Sequence, residues 1–210
     1  MTILLKFGEE KLIDKEYLIL QPDVSEEEFW EYANEDTNCE LINGVLIIHS
    51  PASEVHESIF KYLLTFFNIF LGKTGKGRVY GSRFVMRLAP KWNPEPDLMI
   101  VLPKNYSRIQ KNMLEGPAEM VIEILSKATK DIDVNKKVPK FLDSGVQEVW
   151  IIDPEEKSIT IHTPGDKRIY NDPQSEEPIL SSIFGTLPLK IKWIWNREEF
   201  PVHDIIKNFT

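Results

Sequence analysis

The chain has 210 residues, 42% of them hydrophobic and only 10 glycines, the composition of a folded globular protein with a real core. Its net charge of −8 argues against strong nonspecific attraction to nucleic acid, which is built mainly on Lys and Arg, although a cationic stripe or a bound divalent metal reverses the sign of a single cleft. The single cysteine, Cys39, excludes an intrachain disulfide framework and a multi-cysteine zinc site, and it reads as a core residue.

No apolar run approaches the roughly 20 residues of a membrane-spanning helix, and the N-terminus lacks a signal-peptide pattern. A cytoplasmic protein with no membrane partner is expected. No repeat, low-complexity tract or linker divides the chain, so a single domain over 1–210 is expected, with residues 1–24 as a lead-in.

Along the chain, "VSEEEFWEYANEDT" predicts a short helix with Ser25 as N-cap and Glu28 in capping-box position. In "CELINGVLII", Asn43-Gly44 between two apolar runs predicts a hairpin. "SEVHESIFKYLLTFFNIFLGKTG" carries Val55, Ile59, Leu63, Phe66 or Phe67 and Phe70 at helical spacing and predicts a long helix ending at Gly72. "GKTGKG" lacks the frame of a P-loop and reads as a helix cap and turn, although Lys73, Lys76 and Arg78 could contact a phosphate backbone.

"GRVYGSRFVMRLAP" and "PDLMIVLP" read as strands separated by a proline-rich turn, and the polar connector "KNYSRIQKNMLEG" follows. A strand through Glu123, a helix over Ile132 to Asp143 and the strand "EVWIIDP" come next, with "KSITIHT" pairing back across Asp153 to Lys157. "LPLKIKWIW" reads as one more strand and "PVHDIIKNF" as a closing helix. The expected fold class is α/β, a central mixed β-sheet flanked by helices.

Glu123 stands inside the apolar run Met120-Val121-Ile122-Glu123-Ile124-Leu125, where an unpaired carboxylate would cost several kcal/mol. Asp97 opens the earlier strand directly after Pro96. If the two strands are neighbours their carboxylates converge, which makes sense with a cation between them, and an oxygen-only pair suits Mg²⁺ or Mn²⁺ better than zinc. Asp133, Lys137 and Phe141 recur at four-residue spacing on one helix face. On residue types alone Asp133 and Lys137 read as a surface ion pair worth a few tenths of a kcal/mol, and Glu40 as a solvated strand-end residue.

The succession "CELINGVLII", "EVH", "PEPDLMIV", "VIEILSKAT" and "DVNKKVPKFLDSGVQEVWIIDP" resembles the Uma-type putative restriction endonuclease family of the PD-(D/E)XK nuclease superfamily. The likeness runs from about Ser25 to the closing helix. It implies a restriction-endonuclease-like core in which Asp97 and Glu123 are metal-binding carboxylates and Glu40 is a further acid at the same site. The superfamily's plainest form has a lysine two residues after the second acid, where this chain has Leu125. The family moves it to the next helix, which falls on Lys137.

Lys127, Lys130 and Lys136 are rival cations. Lys127-Ala128 replaces the family's Pro-Ser pair, Phe141 stands at its tyrosine position, and Pro139 is expected to break a helical hydrogen bond or cause a kink. His56 matches a family histidine and, with Asp133, is an accessory candidate. His49, His162 and His203 form no ligand spacing.

The implied activity is a Mg²⁺- or Mn²⁺-dependent endonuclease hydrolysing DNA phosphodiester bonds, with Asp97, Glu123, Lys137 and Glu40 as catalytic residues and Asp97, Glu123 and Glu40 on the metal. Arg83, Arg87 and Lys91 are candidates for positioning the DNA backbone, with Arg83 and Arg87 on one strand face. The acidic balance and the missing lysine at Leu125 favour an alternative, a catalytically inactive nuclease fold that binds nucleic acid or protein. Trp193, Trp195 and the aromatic helix near Phe66 offer apolar surface for a homodimer.

Overall fold

In a computed structural model, residues 18–33, 37–81 and 83–208 are described. Most of the expected lead-in thus lies outside the described residues, which open with strand β1 (Leu18–Gln21). Helix α1 (Glu26–Tyr32) starts with the expected capping box: Ser25 Oγ accepts the Glu28 N–H, and Glu28 Oε2 accepts the Ser25 N–H at 2.8 Å. Strands β2 (Cys39–Ile42) and β3 (Val45–His49) form the expected hairpin, with Asn43 at φ 53 and Gly44 at φ 77. Positive φ at both turn residues matches the right-handed twist of the strands.

Helix α2 (Glu54–Thr74) runs past Gly72 and stops at Gly75, whose φ of 65 is the left-handed value that ends a helix. The expected strand "GRVYGSRFVMRLAP" is divided. Arg83 takes a φ of 65, which breaks the extended run into β4 (Arg78–Gly81) and β5 (Val85–Arg87) in different sheets. Strands β6 (Trp92–Asn93), β7 (Leu98–Val101), β8 (Met113–Glu115) and β9 (Met120–Ile124) follow.

After β9 the helical stretch is composite: α3 (Lys130–Ile132), a π-helical turn (Asp133–Lys137) and α4 (Val138–Asp143). Pro139 supplies the reason. It has no N–H to donate to the carbonyl four residues back, and the wider turn just before it closes with Val138 N–H on Asp133 O instead.

Strands β10 (Glu148–Asp153) and β11 (Ser158–Thr163) form the expected antiparallel pair. Strands β12 (Asp166–Tyr170), β13 (Pro178–Ser181) and β14 (Gly185–Lys190) follow, and then helices α5 (Ile191–Trp195) and α6 (Val202–Ile205). The expected strand "LPLKIKWIW" stops at Lys190. Its last five residues are helical, so Ile191 and Ile194 turn to one side into the core.

A six-stranded mixed sheet has the order β12-β11-β10-β9-β7-β4, with β9 and β10 parallel and the other pairs antiparallel. On one face Leu98, Ile100, Ile122, Trp150 and Ile152 pack beneath Ile59, Leu63, Phe66 and Phe67 of α2. On the other, Met99, Val101, Val121 and Val149 pack with Val138 and Phe141 of α4. The fold is α/β, a central mixed sheet flanked by helices.

Phe66 is fully buried, and Trp193 and Trp195 lie partly buried against the same core, so the aromatic surface expected for a homodimer is largely interior. A smaller antiparallel sheet, β1-β3-β2-β6, stands beside the large one, and residues 94–97 carry the chain from β6 into β7. Among the described residues no helix is long and apolar enough to cross a membrane.

Candidate active site

The two expected carboxylates meet because of strand register. Strands β7 and β9 pair as Leu98↔Ile122, Met99↔Val121 and Ile100↔Met120, so the next step of the same register sets Asp97 opposite Glu123. The pair is stitched by backbone donors: Asp97 N–H gives to Glu123 Oε2 at 3.3 Å, and Ile124 N–H gives to Asp97 Oδ2 at 2.7 Å. Glu123 shares a strand face with Val121 and Leu125, and therefore leaves the sheet on the side where the α3–α4 stretch packs.

Lys137 comes from that stretch. Its Nζ lies 2.8 Å from Glu40 Oε2, 3.0 Å from Asp133 Oδ1 and 3.3 Å from Glu123 Oε1. The Asp133–Lys137 pair is therefore not a surface ion pair. All four side chains are nearly inaccessible, and the lysine links acids from the helix and from both sheets. Glu40 is likewise buried, not a solvated strand end: on β2 it alternates with Cys39 and Leu41, which face the small core around Phe29. The rival cations point elsewhere, Lys127 to Glu155 and Lys130 to Asp153, while Lys136 is exposed.

Both histidines nearest the acids are paired. His56, on the first turn of α2, sets Nε2 3.2 Å from Asp97 Oδ1, and its Nδ1 is buried without a hydrogen-bond partner. His49 has no ligand spacing in the sequence, but its Nε2 lies 3.2 Å from Glu40 Oε1. A residue the sequence reading passed over also lines this cleft: Glu95, whose N–H donates to Glu40 Oε2 at 3.3 Å. Its signal was the Pro-Glu-Pro-Asp run itself, an acid held between two prolines next to the expected Asp97.

The charges do not balance. Glu40, Glu95, Asp97, Glu123 and Asp133 gather around Lys137, His49 and His56, with Arg83 beside Glu95. Burial pushes Glu123 well above the usual carboxylate range; Lys137 opposes this, while Asp133, Asp97 and Glu40 reinforce it. Burial likewise raises Asp133 against the pull of Lys137, and burial and then Glu40 push Glu95 up to about 8. For Glu40, burial is outweighed by Lys137 and His49, and its pKa falls to about 2. Burial favours neutral forms of Lys137 and His56, but the acids around each outweigh it and raise both pKa values.

Such a pocket favours a cation. Among the described residues no three His, Cys, Asp or Glu side chains form a ready-made metal cage. The Asp97–Glu123 pair fits Mg²⁺ or Mn²⁺ in another way, because Mg²⁺ characteristically takes one or two carboxylates and completes its shell with water and phosphate oxygens. Both carboxylates offer oxygen only, the hard donor those ions prefer.

Of the candidate DNA contacts, Arg87 is committed elsewhere. It makes a bidentate pair with Glu26 at 2.7 and 2.9 Å and a further bond to Glu115 at 2.7 Å. Strand alternation does not relate it to Arg83, since the chain turns at Arg83 between two strands. Arg78 stacks over Tyr106 and pairs with Val101, at the far end of β7 from Asp97, so the Lys73–Arg78 turn is not beside the cleft.

Residues 26–191 match the Uma2 family, described as "Putative restriction endonuclease". The chain belongs to the Uma2 family. Most of the described chain, from α1 to the first residue of α5, falls within the match, and so do all the site residues above. A solved structure described as a putative nuclease belonging to DUF820, from Anabaena variabilis ATCC 29413, is similar to this Uma2 chain with a TM-score of 0.70 and 20% sequence identity. The likeness covers 82% of this chain and 98% of that one, and at that identity it speaks for the fold alone. No curated protein matches the chain.

Proposed function

We propose that this protein is a metal-dependent endonuclease that hydrolyses DNA phosphodiester bonds, with Asp97 and Glu123 holding Mg²⁺ or Mn²⁺. The observation that carries this reading is the β7–β9 register, which sets the two carboxylates opposite one another with the Lys137 ammonium 3.3 Å from Glu123. The family described as putative restriction endonucleases supports DNA as the substrate. A divalent ion bound there supplies a Lewis acid for the scissile phosphate and lowers the pKa of an attacking water.

The protein's own groups do the rest. Asp97 is fixed by the Ile124 N–H on one oxygen and by His56 on the other, so its position does not depend on the ligand. Lys137 stays protonated among its acids, which makes it a donor and not a base. In this reading its positive charge stabilises the negative charge that builds on the phosphate oxygens, a contribution of a few kcal/mol. Glu40 and His49 hold that lysine in line from the smaller sheet. The water oxygen bonds to phosphorus as the bond to the leaving ester oxygen breaks, and solvent at the open cleft takes and returns the protons.

Nicking of supercoiled plasmid in Mg²⁺ or Mn²⁺, compared with Asp97→Ala and Glu123→Ala, tests the reading. Metal-dependent nicking by the wild type that both substitutions abolish is expected. Equal, metal-independent background in all three proteins overturns the enzyme and leaves a nuclease fold that binds without cutting.

A further inference from the structure

Arg83 lies where the backbone breaks a local rule. Its φ of 65 is in the left-handed region, which residues other than glycine seldom occupy because Cβ crowds the following carbonyl oxygen. Such a conformation persists only where the surroundings dictate it, and here they do. Gly81, two residues before, pairs with Leu98 in the large sheet, and Val85, two residues after, pairs with Met113 in a separate two-stranded sheet. The chain changes sheets between these two anchors, and it makes the turn at an arginine.

The turn delivers that arginine to the cleft. Arg83 lines a hollow with Asp97, His56 and Phe60, and this hollow shares Asp97, His56 and Glu95 with the cleft itself. Among the described residues that line the two, Lys137 and Arg83 carry the permanent positive charges. They differ in reach, because Lys137 is sealed among Glu40, Glu123 and Asp133 while Arg83 is exposed. Glu57 and Glu95 line the same hollow, so a phosphate backbone approaching this wall is repelled except at the guanidinium. Arg83 stands beside Glu95 and favours its ionised form. A guanidinium has five N–H donors in a planar fork, more than one carboxylate takes up, and the fork matches a phosphate as well as a carboxylate.

We propose that Arg83 binds a backbone phosphate of the DNA that flanks the scissile one. The proposal rests on the endonuclease reading given above and adds the contact that places the strand. The strained turn then has a use: it fixes the root of the side chain at the cleft mouth, so less freedom is lost when the phosphate binds.

Fluorescence anisotropy of a short duplex in Ca²⁺ over a range of NaCl, with wild type, Arg83→Gly and Arg83→Lys, tests this without reference to cleavage. Thermal melts accompany it. Glycine takes a positive φ freely, so Arg83→Gly is expected to melt no lower than the wild type. It is expected to bind the duplex at least about tenfold more weakly, with a slope of log affinity against log salt shallower by about 0.9, the share of one phosphate contact. Arg83→Lys keeps the charge and is expected to keep the slope and recover most of the affinity; a slope as shallow as that of Arg83→Gly contradicts the phosphate contact. Wild-type affinity and slope in Arg83→Gly overturn the role of Arg83 and leave the endonuclease reading standing. Weaker binding with an unchanged slope and a lower melting point also overturns it, and makes Arg83 a structural partner of Glu95. No duplex binding by the wild type overturns both. Should Arg83→Gly fail to fold, Arg83→Gln carries the same expectations for affinity and slope.

Discussion

Lys137 is buried among Glu40, Glu123 and Asp133, so its removal leaves three carboxylates in low dielectric with no counter-charge. Breaking a buried ion pair by deleting one partner costs about 3–5 kcal/mol, and Lys137→Met is expected to lose that much in urea denaturation. A loss below about 1 kcal/mol would contradict the burial described. Glu26 behaves differently, because hydrogen bonds from Arg87 hold its carboxyl below the usual range in the folded state. A depressed folded pKa stabilises above the unfolded value of about 4.3 and is lost as pH falls through the folded one. Glu26→Gln should therefore cost about 1 kcal/mol at pH 7, with the difference from wild type vanishing in acid; a pH-independent difference would refute the pairing. At this scale the sequence was partly legible. Glu123 stood out because a charge in an apolar run needs a partner, and four-residue spacing marked Asp133 and Lys137. Their burial was not legible, since it depends on β2 of the other sheet closing over them. Glu95 was hidden because an acid between prolines looks like a connector.

At the scale of elements, the strand that carries Asp97 is seated by its neighbour. Gly81 of β4 pairs with Leu98, and a Cβ at Gly81 would lie 2.6 Å from the Asp97 carbonyl oxygen and 2.9 Å from Phe60. Backbone cannot yield cheaply there, so Gly81→Ala is expected to cost about 1–3 kcal/mol and to reduce cleavage by displacing Asp97. Gly72→Ala has open space around it inside α2 and should stabilise by about 0.5–1 kcal/mol. Thermal melts and nicking rates of the two variants check the contrast, and a Gly81→Ala protein with wild-type stability would contradict it. Local chemistry made the capping box at Ser25 and the Asn43-Gly44 turn readable, because each acts within a few residues. The division of β4 from β5 at Arg83 was unreadable, since a non-glycine residue with positive φ leaves no mark in an apolar pattern. The helical end of "LPLKIKWIW" was missed because Leu187, Leu189, Ile191, Trp193 and Trp195 alternate at a strand's period, which masks the three-residue spacing of Ile191 and Ile194.

At the scale of the whole molecule, a net charge of −8 and a cleft crowded with carboxylates repel a duplex unless a cation intervenes. Binding of a short duplex, followed by fluorescence anisotropy, is expected in Ca²⁺, weakening as NaCl rises, and to be absent in EDTA; equal affinity in EDTA would count against a metal bridge to phosphate. The α/β class was legible from alternating strand and helix patterns, whereas the split into two sheets joined by residues 94–97 was not, because it is made by pairings far apart in sequence. The central claim is that the register of β7 and β9 builds a metal site from Asp97 and Glu123. Anomalous scattering from crystals soaked in Mn²⁺ tests it most directly. A peak within about 2.6 Å of a carboxylate oxygen of both residues is the predicted result, and a peak that contacts neither residue, or no peak at all, would contradict it.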